Sequence, residues 1–190
     1  MRRCLRADRG GRLDARRGAG VTGRIAAIVI VLAAALTGGF MYYLQVYGYY
    51  EELEPQIGYQ VATPDGGTAR LEIAAFRGID SYSSPLRYRA CFTVVGELPD
   101  LVERDHSEPL NAPGWFDCFD AETIGEDLLA GRARPVMVEE NAPYGFDRVM
   151  ALYPDGRAYV WPMINACGEA VYDGDPAPAG CPPPPAAIRD

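Results

Sequence analysis

The chain has a single histidine, no lysine, and no cysteines at C-x-x-C or C-x-x-C-H spacing. Those absences exclude the usual tetrahedral metal centres, which gather nitrogen and sulfur ligands through short spacings. There is no G-x-S-x-G segment, so Ser81, Ser83 and Ser84 read as turn residues rather than nucleophiles. There is also no glycine-rich phosphate loop of the strand–loop–helix type. All 18 basic side chains are arginine, which we read as a coding bias without mechanistic content.

Charge is missing altogether from Ile25 to Tyr47, where Thr37 and Gln45 are the only clearly polar side chains. As a helix this run spans about 35 Å, enough to cross a hydrocarbon core of roughly 30 Å. A cleavable signal peptide competes, since Ala33, Ala34 and Ala35 offer small residues for cleavage. The apolar run continues past Ala35, which favours a retained transmembrane helix over 25–47.

Charge is split across that run. Residues 1–24 carry eight arginines against Asp8 and Asp14, net +6, whereas residues 48–190 carry ten against 24 acids, net −14. The positive-inside rule puts the N-terminus in the cytoplasm and the C-terminal domain in the periplasm, with the inner membrane bilayer as its first partner. Tyr42, Tyr43, Tyr47, Tyr49 and Tyr50 form an aromatic belt at the outer end. So acidic a domain is poorly suited to nucleic acid or anionic lipid. The segment 1–20 has no hydrophobic period and suggests a misassigned start, with Val21 as the true one, in which case Arg24 and the α-amine supply the positive inner flank and the +6 is partly an artefact.

Four of the five cysteines, Cys91, Cys118, Cys167 and Cys181, lie on the oxidising side and read as disulfides. Three pairings are open. A short 167–181 loop ties down an otherwise loose tail, which leaves Cys91 for Cys118.

Beyond a juxtamembrane linker (48–57), the segment 58–175 reads as one α+β domain and 176–190 as a proline-rich tail. Strands are expected at 58–63 and 68–76 around the turn 64–67, at 86–95, at 133–139, and as a hairpin at 146–153 and 158–164. In the 86–95 strand, Leu86, Tyr88, Ala90 and Phe92 take the core face, and Arg87, Arg89 and Cys91 the other. Residues 78–84 and 96–114 read as loops. Asp120 is the N-cap of one helix with a stripe of Ile124, Leu128 and Leu129, stopped by Gly131. The result is a transmembrane helix followed by a small antiparallel sheet with one packed helix.

His106 lies in an acidic loop and has no nucleophile or metal to work with. The candidate surface site comprises Trp115, Asp117, Tyr144, Asp147 and Arg148, aromatics beside charges that suit a sugar or peptide. The competing reading makes Trp115, Phe116 and Phe119 the core staple of the following helix. No catalytic residue, cofactor or metal is expected.

The segments MYYLQVY, SSPLRYRACF, APGWFDCFDAETIG, YGFDRVMALYPDGRAYVW and NACGE with GCPPPP resemble a family of bacterial single-pass membrane proteins built on a domain of unknown function, over roughly residues 21–185. That family is sometimes labelled histidine kinase. The chain has no kinase glycine box, asparagine box or phosphoacceptor helix, so the resemblance implies no catalytic residue. The expected function is a membrane-anchored periplasmic accessory domain that meets an envelope protein. Alternatives are a sensor of small ligands or cell-wall fragments using the 96–117 loop and the Asp147–Arg148 region, and an envelope enzyme.

Overall fold

A computed structural model describes residues 23–105 and 107–186; the flank with Cys4 and Val21, His106 and the last four residues lie outside them. The chain divides into two units at Tyr42/Tyr43. The first carries helix α1 (Gly23–Tyr43), which is exposed along its length. It starts two residues earlier than expected, and at Leu44 it loosens into a π-helical turn, Leu44–Gly48. Gly23–Gly48 is long and apolar enough to cross a membrane, as an anchor or signal sequence is.

The second unit is α+β, with strands β1 (Glu51–Glu52), β2 (Gly58–Ala62), β3 (Thr68–Asp80), β4 (Arg89–Val94), β5 (Arg134–Glu139), β6 (Phe146–Leu152) and β7 (Arg157–Ile164) and helices α2 (Ala121–Leu129) and α3 (Ala166–Tyr172). All strand pairs are antiparallel, in the order β1-β3-β4-β7-β6-β5, with β2 also on β3. β3 runs through the stretch expected to be loop at 78–80. Its period is broken by an irregularity between Ala74 and Arg77, where Ala75 takes φ 55°. That extra residue bends the strand. The sheet curls until β2 meets β5 from the opposite end of the strand order.

Curling gives the sheet two cores. The concave face holds Tyr59, Leu71, Phe76, Tyr88, Phe92 and Val160. The convex face holds Cys91, Phe116, Phe119, Ile124, Val149 and Trp161, covered by α2 and the chain before it. Tyr88, Ala90 and Phe92 face a core as expected, but Arg89 and Cys91 on the other face are buried as well. A strand with both faces covered loses the polar half of its alternation, which is why β6 is buried nearly throughout and apolar from Val149 to Leu152.

Part of the expected 96–114 loop is also paired. Glu103 bridges Val136, and the carbonyl of Val102 accepts from the amide of Met137 (2.8 Å), so this segment covers the free edge of β5. The second correction is α3, read as turn and tail in the sequence. Asn165 caps it by accepting from the Gly168 amide (3.0 Å). Both disulfides, Cys91–Cys118 and Cys167–Cys181, are formed, and the second ties the tail back to α3.

Asp120 caps α2 as expected, accepting from the amides of Glu122 (3.1 Å) and Thr123 (3.2 Å). At the other end Asp127 accepts from the Tyr153 hydroxyl (2.6 Å) and Arg132 Nε (2.5 Å). Hydrogen bonds from the Thr123 side chain and from Tyr153 respectively hold both carboxyls below their ordinary range. A depressed folded-state pKa stabilises above the unfolded value, about 3.9 for aspartate, and that stability is lost as pH falls through the folded value. Urea midpoints measured from pH 7 to pH 2 are therefore expected to fall on the acid side, and less steeply in Asp127→Asn. An unchanged acid limb in that variant counts against the Asp127–Tyr153 contact.

Candidate functional site

The five residues expected to share a surface site fall into three places. Trp115 donates from Nε1 to the Val46 carbonyl (2.6 Å). Its ring stacks on Tyr47 (centroids 6.2 Å) and meets Tyr50 edge-on (6.0 Å). Phe116 and Phe119 are buried in the core with Ile124 of α2, and Trp115 packs partly buried against that core, edge-on to Phe116 (6.2 Å), as well as against residues 46–50. It fastens residues 46–50 to the domain, and Arg87 lies over the Tyr49 and Tyr50 rings at 5.4 and 5.3 Å. Asp117, close by, is an exposed residue paired with Arg77 (2.7 Å).

Tyr144 and Asp147 are buried, not on the surface. Asp147 is a junction: Oδ1 accepts from the Asn141 amide (2.9 Å) and from Asn165 Nδ2 (2.7 Å), and Oδ2 accepts from Arg104. The carboxylate thereby joins the β5–β6 turn, the cap of α3 and the segment along β5. With its lone pairs engaged in this way it fits a structural role better than a chemical one. Asn141 takes φ 56° here and accepts from the Gly145 amide (2.6 Å). Gly145 in turn has φ 85°, and a Cβ there would meet Gly168 Cα at 2.7 Å. A Cβ on Gly168 would run into the Gly145 carbonyl, so α3 docks glycine to glycine. Gly168→Ala is expected to push α3 outward and cost about 1–3 kcal/mol by overpacking. A denaturant midpoint equal to that of the parent chain counts against this docking.

Arg148, the neighbour of Asp147 along β6, points to the opposite face, over the Tyr88 ring (4.3 Å) and 3.4 Å from Glu139. Beneath it the Tyr59 and Tyr88 hydroxyls bond each other (2.8 Å), and burial pushes both phenols up. They are held neutral and are poor bases.

A concave feature of the surface lies elsewhere, between Asp105 with residues 107–111 and the outer side of α2, with a volume of about 680 Å³. Its floor includes Leu128, Leu129 and Met163, and its rim Asp105, Glu108 and Glu122. Two buried side chains hold the wall opposite α2. Arg89 donates from Nε to the Leu110 carbonyl and from Nη2 to that of Asn111 (both 2.9 Å), and Trp161 Nε1 donates to the Glu108 carbonyl (2.9 Å). Arg89 also reaches the Leu86 carbonyl (2.8 Å) and has no ion-pair partner among the described residues. Burial pushes its guanidinium down to about 10, still protonated at neutral pH. Both sides of this cleft are marked in the sequence, one as a long loop and the other as the helix with the Ile124, Leu128 and Leu129 stripe, although Leu129 turns out exposed rather than packed. Arg89, an arginine within an apolar β-branched and aromatic run, was the one further signal.

Fold and site together define a small disulfide-bonded α+β domain behind an apolar N-terminal helix. The chain belongs to a family of unknown function (DUF6446), whose model matches residues 59–182. That match takes in both disulfides, the Asp147 junction and the cleft. No curated protein and no solved structure matches it.

Proposed function

We propose that the chain is a tethered interaction domain. In this reading α1 holds it in the inner membrane, with the arginine-rich flank in the cytoplasm and the α+β domain in the periplasm, where it serves an envelope protein. The observation that carries the reading is the root of the domain: Trp115 grips Val46, Tyr47 and Tyr50, so residues 46–50 are part of the domain and no free linker follows them. Two disulfides suit an oxidising compartment, and the charge split supplies the orientation.

Cell fractionation with a tag at each end tests this. The expected result is an intact chain that resists carbonate extraction, with the C-terminal tag digested by protease added to spheroplasts and the N-terminal tag protected. A soluble chain shortened within α1 overturns the tether, and the reverse protection pattern overturns the orientation.

A second reading, a sensor of small ligands or cell-wall fragments, is favoured by the cleft, whose 680 Å³ suits a small molecule. A rise in melting temperature with a muropeptide, abolished when the cleft is filled by Gly125→Leu, is the result expected of it.

A further inference from the structure

Resting on the interaction-domain reading, we infer that the cleft beside α2 is its docking site and that the occupant is a basic, apolar segment of the partner protein, arginine or lysine next to leucine-like side chains. The α2 stripe Ala121, Glu122, Gly125, Leu128 and Leu129 forms one wall, and Asp105 with Ser107, Glu108, Pro109 and Asn111 the other. Leu129 is 92 % exposed at the mouth, a full leucine side chain left in water beside a concavity. At Gly125 the two walls approach closely, since a Cβ there would already be in ordinary contact with Pro109 at 3.6 Å, and a larger side chain would fill the space between them.

Charge decides the partner's chemistry. Asp105, Glu108 and Glu122 are exposed, and among the described residues none has an ion-pair partner and no arginine lines the cleft. Of the other carboxylates at this end of the domain, Glu103 is matched by Arg134 and Asp127 by Arg132, while Glu126 on α2 adds a further exposed carboxylate with no ion-pair partner among the described residues. The rim is therefore a local excess of negative charge around an apolar floor, complementary to a cation carried on an apolar segment. The Arg89 and Trp161 bonds fix the wall before anything binds, so little ordering is required on association.

The test uses the full chain in nanodiscs and two fluorescent decapeptides, one alternating arginine and leucine and one alternating glutamate and leucine. The arginine peptide is expected to bind, more weakly as salt rises, and the glutamate peptide not to bind. Glu108→Gln with Glu122→Gln should weaken the arginine peptide about fivefold or more, the scale of two exposed charge pairs. Gly125→Leu should block it, and Glu140→Gln with Asp173→Asn, away from the cleft, should leave it unchanged. Equal binding of both peptides, indifference to the cleft variants, or an equal loss in the distant pair overturns the docking site. Displacement of the peptide by spermidine at spermidine concentrations below that of the peptide overturns the polypeptide assignment in favour of a small polycation. A photo-reactive residue in place of Leu129 separates the two levels. Capture of one discrete membrane protein in cells without arginine-peptide binding overturns the partner's chemistry alone, and neither capture nor binding overturns both.

Discussion

Asp147→Ala is expected to lower the unfolding free energy by about 3 kcal/mol or more. The carboxylate is buried and accepts three hydrogen bonds, so its loss leaves Arg104 without its anion and strands the Asn141 amide and Asn165 Nδ2 together. Removing one partner of a buried ion pair costs roughly 3–5 kcal/mol, and the partial exposure of Arg104 argues for the lower end. Asp147→Asn keeps an oxygen for Asn141 and Asn165 but turns an NH2 donor towards Arg104, losing the charge and that one hydrogen bond, so it should cost less than the alanine. Urea unfolding of the full chain in detergent measures both. An alanine variant within 1 kcal/mol of the parent would show that the junction is not structural and would return Asp147 to the list of groups free to meet a ligand.

Loss of the Cys91–Cys118 bond is expected to be nearly as damaging. It closes a loop with a separation of 27 residues. Confining a loop of that length removes unfolded-state entropy worth about 3.5 kcal/mol. Cys91→Ser adds the burial of a hydroxyl in an apolar core, whereas Cys118→Ser lies on a partly buried segment, so the first should be the worse. The Cys167–Cys181 bond closes a separation of 14 and fastens a peripheral helix and tail, so Cys181→Ser should leave the core transition intact and free the tail to proteases. Equal midpoints for the Cys91→Ser and parent chains would place little of the stability in that bond.

What the sequence made legible was local. The apolar run gave α1, Pro154-Asp155-Gly156 gave the β6–β7 turn, and Asp120 gave the start of α2. Three features were hidden because their causes are distant in the chain. The burial of Arg89 depends on carbonyls at Leu110 and Asn111, some twenty residues away, so an arginine in a strand read as outward-facing. The continuation of β3 is masked by the irregular turn of chain at Ala75, which interrupts the two-residue period. Helix α3 is seven residues long with a glycine in its interior, and its docking depends on Gly145 rather than on helix propensity. The cleft was illegible for the same reason: its two walls come from segments whose approach is set by Arg89 and Trp161.

Arg89 has one further consequence. It meets carbonyl dipoles and no carboxylate, inside the fold where mobile ions do not follow. Added salt, with a Debye length of about 3 Å at 1 M, screens Asp105, Glu108 and Glu122 at the mouth while leaving the frame behind them untouched. The cleft therefore has an ionic-strength-sensitive rim on an ionic-strength-blind scaffold, so that under the proposed docking added salt would weaken the attraction without altering the shape to be fitted.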